Sequence, residues 1–397
     1  MSHPIITQLK KVWRGPTIAI EINNKEERIG KGTVSTSIAV LKPNILWRIA
    51  KSLSLGFGEA YMKGDIKIRG DLMKVLEGFY KTSLAIQGNP LARMRTLTKL
   101  IPTRISMDAA KQNAQHHYDV GNDFYASWLD PQMVYSCAYF VHENDSLEQA
   151  QRQKLELLCR KARLQKEQSL LDIGCGWGGL LFHAVERYGV TATGITPAKN
   201  QAAYIREEAK KRGLESRIQV IEGDWRELSG TYDRIISVGM FEHVGKKQYQ
   251  TFFDTWNRLL ADDGVSVLHT IGRMKASTVT DPWIRKYIFP GGFLPALEEM
   301  TIPAASSGLV VTDVENLWRH YAKTLQHWSK NFRAVQDQVI SQYDEKFARM
   351  WWLYLQGSEA GFRWGDLQLW QLVLTKDKVA SWPLNREVGT ERLDKAI

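Results

Sequence analysis

Five short apolar runs, SLLDIG (169–174), VTATGI (190–195), RIQVIEG (217–223), DRIISVG (233–239) and VSVLHTIG (265–272), recur along the middle of the chain with amphipathic, helix-length segments between them. Strands that read as nearly continuous apolar runs are covered on both faces, and strands alternating with helices pair in parallel. The pattern therefore predicts an α/β domain on a doubly wound, mostly parallel sheet. Sixth and seventh strands at 309–314 and 367–374 would complete it, with a helical block over 317–356 between them. Ser146-Leu-Glu-Gln149 is a capping box opening a long amphipathic helix to about residue 164. Ahead of this domain, TIAIEI (17–22), STSIAVL (35–41) and DIKIRG (65–70) read as strands of a small sheet, with helices near 44–52 and 71–87. The predicted division is a smaller N-terminal α+β domain over 1–100, a linker over 101–114 and the larger domain over 115–397.

Charge divides the chain more sharply than its total of +10 suggests. Residues 1–114 hold 19 Lys/Arg against 8 Asp/Glu, and the remainder is close to neutral. A basic part of this kind suits a polyanionic surface, nucleic acid or anionic lipid, or is a solvated face. In the segment Leu91–Lys111, basic residues alternate with apolar ones at helix-like intervals. That spacing fits an amphipathic helix on a membrane and a helix packed on a core equally well. No apolar run approaches the roughly 20 residues that cross a bilayer, and MSHPIITQLKKVW lacks the apolar core of a secretory signal, so a cytoplasmic location is expected. Cys137, Cys159 and Cys175 show no C-x-x-C spacing, so neither a disulfide framework nor a zinc site is expected, and no metal is assigned.

The run Leu171-Asp172-Ile173-Gly174-Cys175-Gly176-Trp177-Gly178-Gly179 ends the first predicted strand and enters a helix, where bare backbone lets a ligand approach the helix N-terminus. Gly174, Gly176 and Gly179 satisfy the dinucleotide fingerprint G-x-G-x-x-G, a weak signal alone. A nicotinamide cofactor also needs an acid at the end of the second strand, and that strand ends Gly194-Ile195-Thr196-Pro197. S-adenosylmethionine instead uses an acid before the first glycine and a polar residue after the third strand. Asp172 and Gly223-Asp224-Trp225 fill both places. Glu242 follows the fourth strand and His269 lies near the end of the fifth, so both reach the crevice where such sheets bind ligands. An in-strand histidine is also a common core residue, and Tyr321, in a helix rich in Trp and His, reads by spacing as core.

HYDVGNDFY (117–125), YSCAYF (135–140), LLDIGCGWGG (170–179), SVGMFEHVG (237–245), LHTIG (268–272), DPWIRKYIFPGG (281–292) and FRWGDLQLWQ (362–371) together resemble the cyclopropane-fatty-acid-phospholipid synthases and mycolic acid cyclopropane synthases. GFGEAYMKGD (56–65) is similar to the extra domain of the phospholipid-acting members. The resemblance implies a seven-stranded Rossmann-like methyltransferase sheet and a lipid-binding N-terminal domain. The implied reaction adds a methylene from S-adenosylmethionine to the cis double bond of an unsaturated phospholipid acyl chain, with bound bicarbonate as proton acceptor. The matching positions for the ion are Glu242, His269 and Tyr321 through side chains, and Cys137 and Ile271 through backbone. Those for the cofactor are Tyr135, Ser136, Asp172, Gly174, Gly176, Gly178, Thr196, Gln201, Asp224 and Trp225. Ser358 stands where many relatives carry cysteine, so a thiol there is not essential. The implied setting is peripheral, on the inner face of the cell membrane with anionic lipid favoured, and a homodimer is open. Methyl or methylene branching of the same chains is the nearest rival. Nucleic-acid methylation is disfavoured, because Gly239-Met240-Phe241-Glu242 replaces the (N/D)PP(Y/W) motif after the fourth strand.

Overall fold

Leu170 and Leu171 are neighbours on one strand yet face different hydrophobic cores, as a period-2 element covered on both sides requires. Leu158, Leu181 and Ile205 pack with Leu170, and Phe241, Phe252, Trp256 and Leu268 pack with Leu171. The computed structural model describes residues 3–87, 121–277, 280–376 and 382–383. The expected linker 101–114 and the segment Leu91–Lys111 lie outside the described residues.

The described chain divides into two units. One contains the sheet predicted from the apolar runs, as strands β5 (Ser169–Ile173), β6 (Thr191–Thr196), β7 (Ile218–Glu222), β8 (Tyr232–Val238), β9 (Leu260–Arg273), β10 (Leu309–Asn316) and β11 (Leu367–Lys376). Their order is β10-β11-β9-β8-β5-β6-β7. The pairs from β9 through β7 are parallel, and β11 runs antiparallel to both β9 and β10. Helix Leu147–Lys161 begins as the capping signal predicts, with Ser146 Oγ accepting from Gln149 N at 3.1 Å. It ends three residues earlier than the periodicity suggests. β5 lies between β6 and β8, so the connections from β5 and from β8 leave on opposite sides and open a crevice at their carboxyl ends.

The other unit holds β1 (Ile18–Ile22), β2 (Lys25–Ile29), β3 (Thr36–Val40) and β4 (Ile66–Arg69) in the order β2-β1-β3-β4. It also takes in 280–290 and 325–366 from the C-terminal part of the chain. Strand β2, KEERI, has no apolar alternation and escapes a sequence reading; its pairing with β1 follows from the turn Asn23-Asn24, both at positive φ. Trp283 Nε1 donates to Met62 Sδ at 3.2 Å and Tyr80 OH to the Gly357 carbonyl at 3.2 Å, which ties the later segments to helices Leu53–Met62 and Leu72–Gln87.

Two glycines in this unit test the packing in opposite directions. A Cβ on Gly78 would lie 1.9 Å from Trp13 Cζ2, whereas one on Gly357, inside helix Glu345–Trp364, meets nothing within 4 Å. In denaturant titrations Gly78→Ala is expected to cost about 1–3 kcal/mol and Gly357→Ala to add roughly 0.5–1 kcal/mol.

Candidate functional site

Strand β5 ends at Ile173, and the chain passes through Gly174, Gly176 and Gly178, at φ 88°, 54° and 83°, before helix Gly179–Tyr188 begins. A Cβ on Gly174 would lie 2.5 Å from Met240 Cβ, so packing dictates that glycine, while one on Gly176 would meet no atom within 4 Å. Here, at the carboxyl ends of β5 to β8, lies a cavity of about 380 Å³. Tyr135, Ser136, Asp172, Gly174, Gly176, Thr196, Gln201, Asp224 and Trp225 all border it. Gly178 does not: it is the left-handed N-cap of the helix, with its Cβ position 2.9 Å from Ile205.

Polar groups at this cavity are held out of water. Asp172 is buried, its Oδ1 has no partner, and burial pushes its pKa up to about 7 despite the nearby Lys154 charge. Lys154 is 1% exposed; burial brings it down to about 8, while Asp130, Cys137 and Asp172 pull the other way. Its Nζ donates to Ser136 Oγ at 2.9 Å. Two helical turns of Leu147–Lys161 thus supply the cavity's only described lysine, a residue the sequence reading missed because Lys154 occupies a slot on the buried stripe that spacing assigns to an apolar side chain. Gln151, one turn earlier, donates to the carbonyls of Val134 (3.2 Å) and Ser136 (2.9 Å) and so fixes the irregular stretch carrying Tyr135. Thr196 Oγ1 donates to Gln201 Oε1 at 2.8 Å. Burial would raise the Asp224 carboxyl, but Arg226 Nε at 2.7 Å and Nη2 at 2.5 Å hold it below the usual range. Trp225 packs edge-on against Phe252 with centroids 5.1 Å apart.

None of the five residues matched to the ion borders this cavity. The structure joins them in smaller groups. Phe241–His243 is a 3-10 turn rather than extended chain, and it sends its two polar side chains apart. His243 borders the cavity, its pKa lowered by burial to about 4, while Glu242 Oε1 accepts from Ile271 N at 2.7 Å. Burial raises Glu242 to about 7, and its Oε2 has no partner. His269 is buried, with Nδ1 2.9 Å from Gln371 Nε2 and Nε2 unpartnered. Cys137 Sγ is 3.2 Å from the Ala138 carbonyl and 4.0 Å from that of Leu317, which also accepts from Tyr321 N. Burial drives the Cys137 thiol far up, so it is no nucleophile at neutral pH. Among the described residues no cluster of three or more His, Cys, Asp or Glu could hold a metal ion.

The profile of the mycolic acid cyclopropane synthetase family matches residues 105–372. The cyclopropane-fatty-acyl-phospholipid synthase of Escherichia coli K12 is 36% identical over 370 residues, 90% of this chain and 93% of that protein. Cyclopropane mycolic acid synthase 1 of Mycobacterium tuberculosis is 37% identical over 278 residues, 66% of this chain and 96% of its own. A crystal structure of the mycolic acid cyclopropane synthase CmaA1 complexed with SAH and CTAB superposes with a TM-score of 0.64 at 36% identity, covering 67% of this chain and 98% of its own.

Glu242 shows how far such a site strains the fold. Between about pH 4 and 7 the folded chain keeps a proton on this carboxyl that the unfolded chain has already released, so its contribution to stability falls as pH rises through that window. Glu242→Gln keeps the acceptor for Ile271 N and removes the charge. The variant is expected to be more stable than the parent by about 1–3 kcal/mol at pH 8 and equal to it at pH 4, as read by denaturant titration.

Proposed function

The chain belongs to the mycolic acid cyclopropane synthetase family, and from that premise we propose that it uses S-adenosylmethionine to build cyclopropane rings at cis double bonds of phospholipid acyl chains, with bicarbonate as proton acceptor. The observation that carries the reading is three buried polar atoms without a partner in the chain: Asp172 Oδ1 at the cavity, and Glu242 Oε2 and His269 Nε2 outside it. A buried polar atom without a partner is costly, and a ligand that supplies the partner removes the cost.

In the cavity, Asp172 suits the ammonium of S-adenosylmethionine, the amino end of helix Gly179–Tyr188 its carboxylate, and Trp225 the face of its adenine. In the second site, Glu242 and His269 present an acid and an imidazole to a small ion that can donate and accept, and bicarbonate fits that set. Tyr321 and the backbone of Cys137 complete the proposed ring of contacts. Bound there, bicarbonate supplies a base for the proton that ring closure releases. An alkene needs no activation before methyl transfer, but the positive charge it acquires is captured by any nearby water. Glu242 at 7% and His269 at 1% exposure keep that water out. Glu242 is held by Ile271 N–H and so stays directed at the site.

We assign the lipid contact to the N-terminal unit. Leu41, Trp47 and Leu53 are 55%, 59% and 45% exposed, with Lys51 between the last two and Lys42 and Arg48, paired to Asp65 and Glu59, alongside, a mixture of indole, aliphatic and polar groups suited to a bilayer surface. No helix among the described residues is long and apolar enough to cross a membrane. On this assignment the enzyme reaches its substrate from the membrane surface.

Labelled S-adenosylmethionine and vesicles of monounsaturated phospholipid test the reading. The expected product gains one methylene per acyl chain and resists hydrogenation; a reducible or branched product would establish the methylene- or methyl-branching rival instead. Gly176→Val, a β-branched side chain at positive φ on the cavity wall, is expected to abolish cofactor binding in calorimetry. Glu242→Gln is expected to lose about 10²–10⁴ in turnover with cofactor affinity unchanged, and the parent enzyme to lose activity in bicarbonate-free buffer.

A further inference from the structure

Glu315 on β10, Gln371 on β11 and His269 on β9 are register partners across three adjacent strands, so their side chains form a row perpendicular to the strands. Lys161, the last residue of helix Leu147–Lys161, lies over this row and is 7% exposed. Its Nζ donates to Gln371 Oε1 at 2.7 Å and to Glu315 Oε2. Gln371 is fully buried, and its Nε2 is 2.9 Å from His269 Nδ1.

The order of donors along the row follows from chemistry. An ammonium has only hydrogens to offer, so the amide atom it meets is the oxygen of Gln371. The amide nitrogen then faces His269, and it too can only donate. His269 Nδ1 is thereby an acceptor and carries no hydrogen. In a neutral imidazole the one ring hydrogen must then sit on Nε2. Turning the amide over would set donor against donor at Lys161, between two buried side chains. Burial and the charges of Lys154 and Lys161 hold the His269 pKa well below its ordinary range, so the ring is neutral at pH 7. The Nε2 atom that must carry the hydrogen is the buried atom without a partner in the chain.

We propose that Lys161 and Gln371 are positioning residues that lock His269 as the Nε2–H tautomer, so that His269 binds an oxyanion as a hydrogen-bond donor and takes no proton in the reaction. Glu315, at the outer end of the row, anchors Lys161. The inference rests on the reading that Glu242 and His269 hold bicarbonate, and it divides their labour: His269 donates to the ion, and proton acceptance is left to the ion with Glu242 beside it.

Nitrogen-15 histidine labelling with long-range proton–nitrogen correlation reads the tautomer in the intact enzyme, His269 being identified by its loss in His269→Asn. The parent enzyme at pH 7 is expected to show hydrogen on Nε2 and none on Nδ1; hydrogen on Nδ1, or a charged ring, overturns the proposal without touching the bicarbonate reading. Gln371→Glu puts an acceptor beside Nδ1 in the same volume and is expected to move the hydrogen to Nδ1. Turnover then falls roughly ten- to hundredfold, half-saturation by bicarbonate rises, and cofactor affinity stays within about twofold. Lys161→Met, which leaves the amide free to turn, is expected to give a mixture of tautomers and a smaller shift in bicarbonate dependence. Unchanged bicarbonate dependence in a folded Gln371→Glu whose tautomer has switched overturns the donor role. Activity of the parent independent of bicarbonate contradicts the underlying reading instead, and the tautomer measurement tells the two failures apart.

Discussion

A lysine ammonium lining the cavity at the carboxyl ends of β5 to β8, Lys154, is the group around which this edge of the sheet is arranged. Removing such a charge from water is expensive unless partners surround it. Ser136 accepts its hydrogen bond, and Asp130 supplies opposing charge. Asp130 is in turn held by the backbone N–H groups of Gln132 (3.0 Å) and Val134 (3.0 Å), which curls the chain so that Tyr135 and Ser136 arrive at the cavity. Gln151 and Gln153, on the same helix as Lys154, satisfy the carbonyls of Val134 and Ser136 and the N–H of Val141. Five backbone groups of a stretch with no regular structure thereby find partners away from water, as a cavity wall made of loop requires.

Both proposed sites share one physical device. Asp172 and Glu242 each titrate near pH 7 because burial works against their charge, and neither has a full set of partners in the chain. A carboxyl poised at that point changes charge in response to whatever binds beside it. The same burial that makes an unpartnered polar atom costly would also exclude water from the proposed chemistry. Stability is therefore given up at the positions where function needs an unsatisfied group, and the doubly covered sheet, with Trp256, Phe252, Phe253 and Leu268 fully buried on one face, supplies the compensation.

The sheet was legible in the sequence because its strands are apolar on both faces, so burial and periodicity point the same way. β2 was not: its five residues KEERI owe their strand conformation to the Asn23-Asn24 turn and to β1, a tertiary cause that propensity does not contain. Nine of the ten residues matched to the cofactor border the cavity: the glycines, Asp172, Asp224 and Trp225 carry their chemistry in their spacing, whereas Tyr135, Ser136, Thr196 and Gln201 came only from the family resemblance. Gly178 is set apart because a cap and a ligand contact use the same residue type. Lys154, Lys161 and Gln371 went unread for the converse reason. A lysine or glutamine is ordinarily a surface residue, and only the cross-strand register and the placement of one helix over the sheet reveal that these three are interior groups with assigned partners.

If Asp172 receives the cofactor ammonium as proposed, its buried carboxyl, raised to about 7, holds a proton until that ammonium replaces it. Calorimetric titration of S-adenosylhomocysteine into the enzyme near pH 6.5, in two buffers of different ionisation enthalpy, measures that exchange directly. A binding enthalpy that depends on the buffer with the sign of net proton release is expected, and loss of that dependence in Asp172→Asn. An enthalpy independent of buffer, or net proton uptake, in the parent enzyme would contradict it.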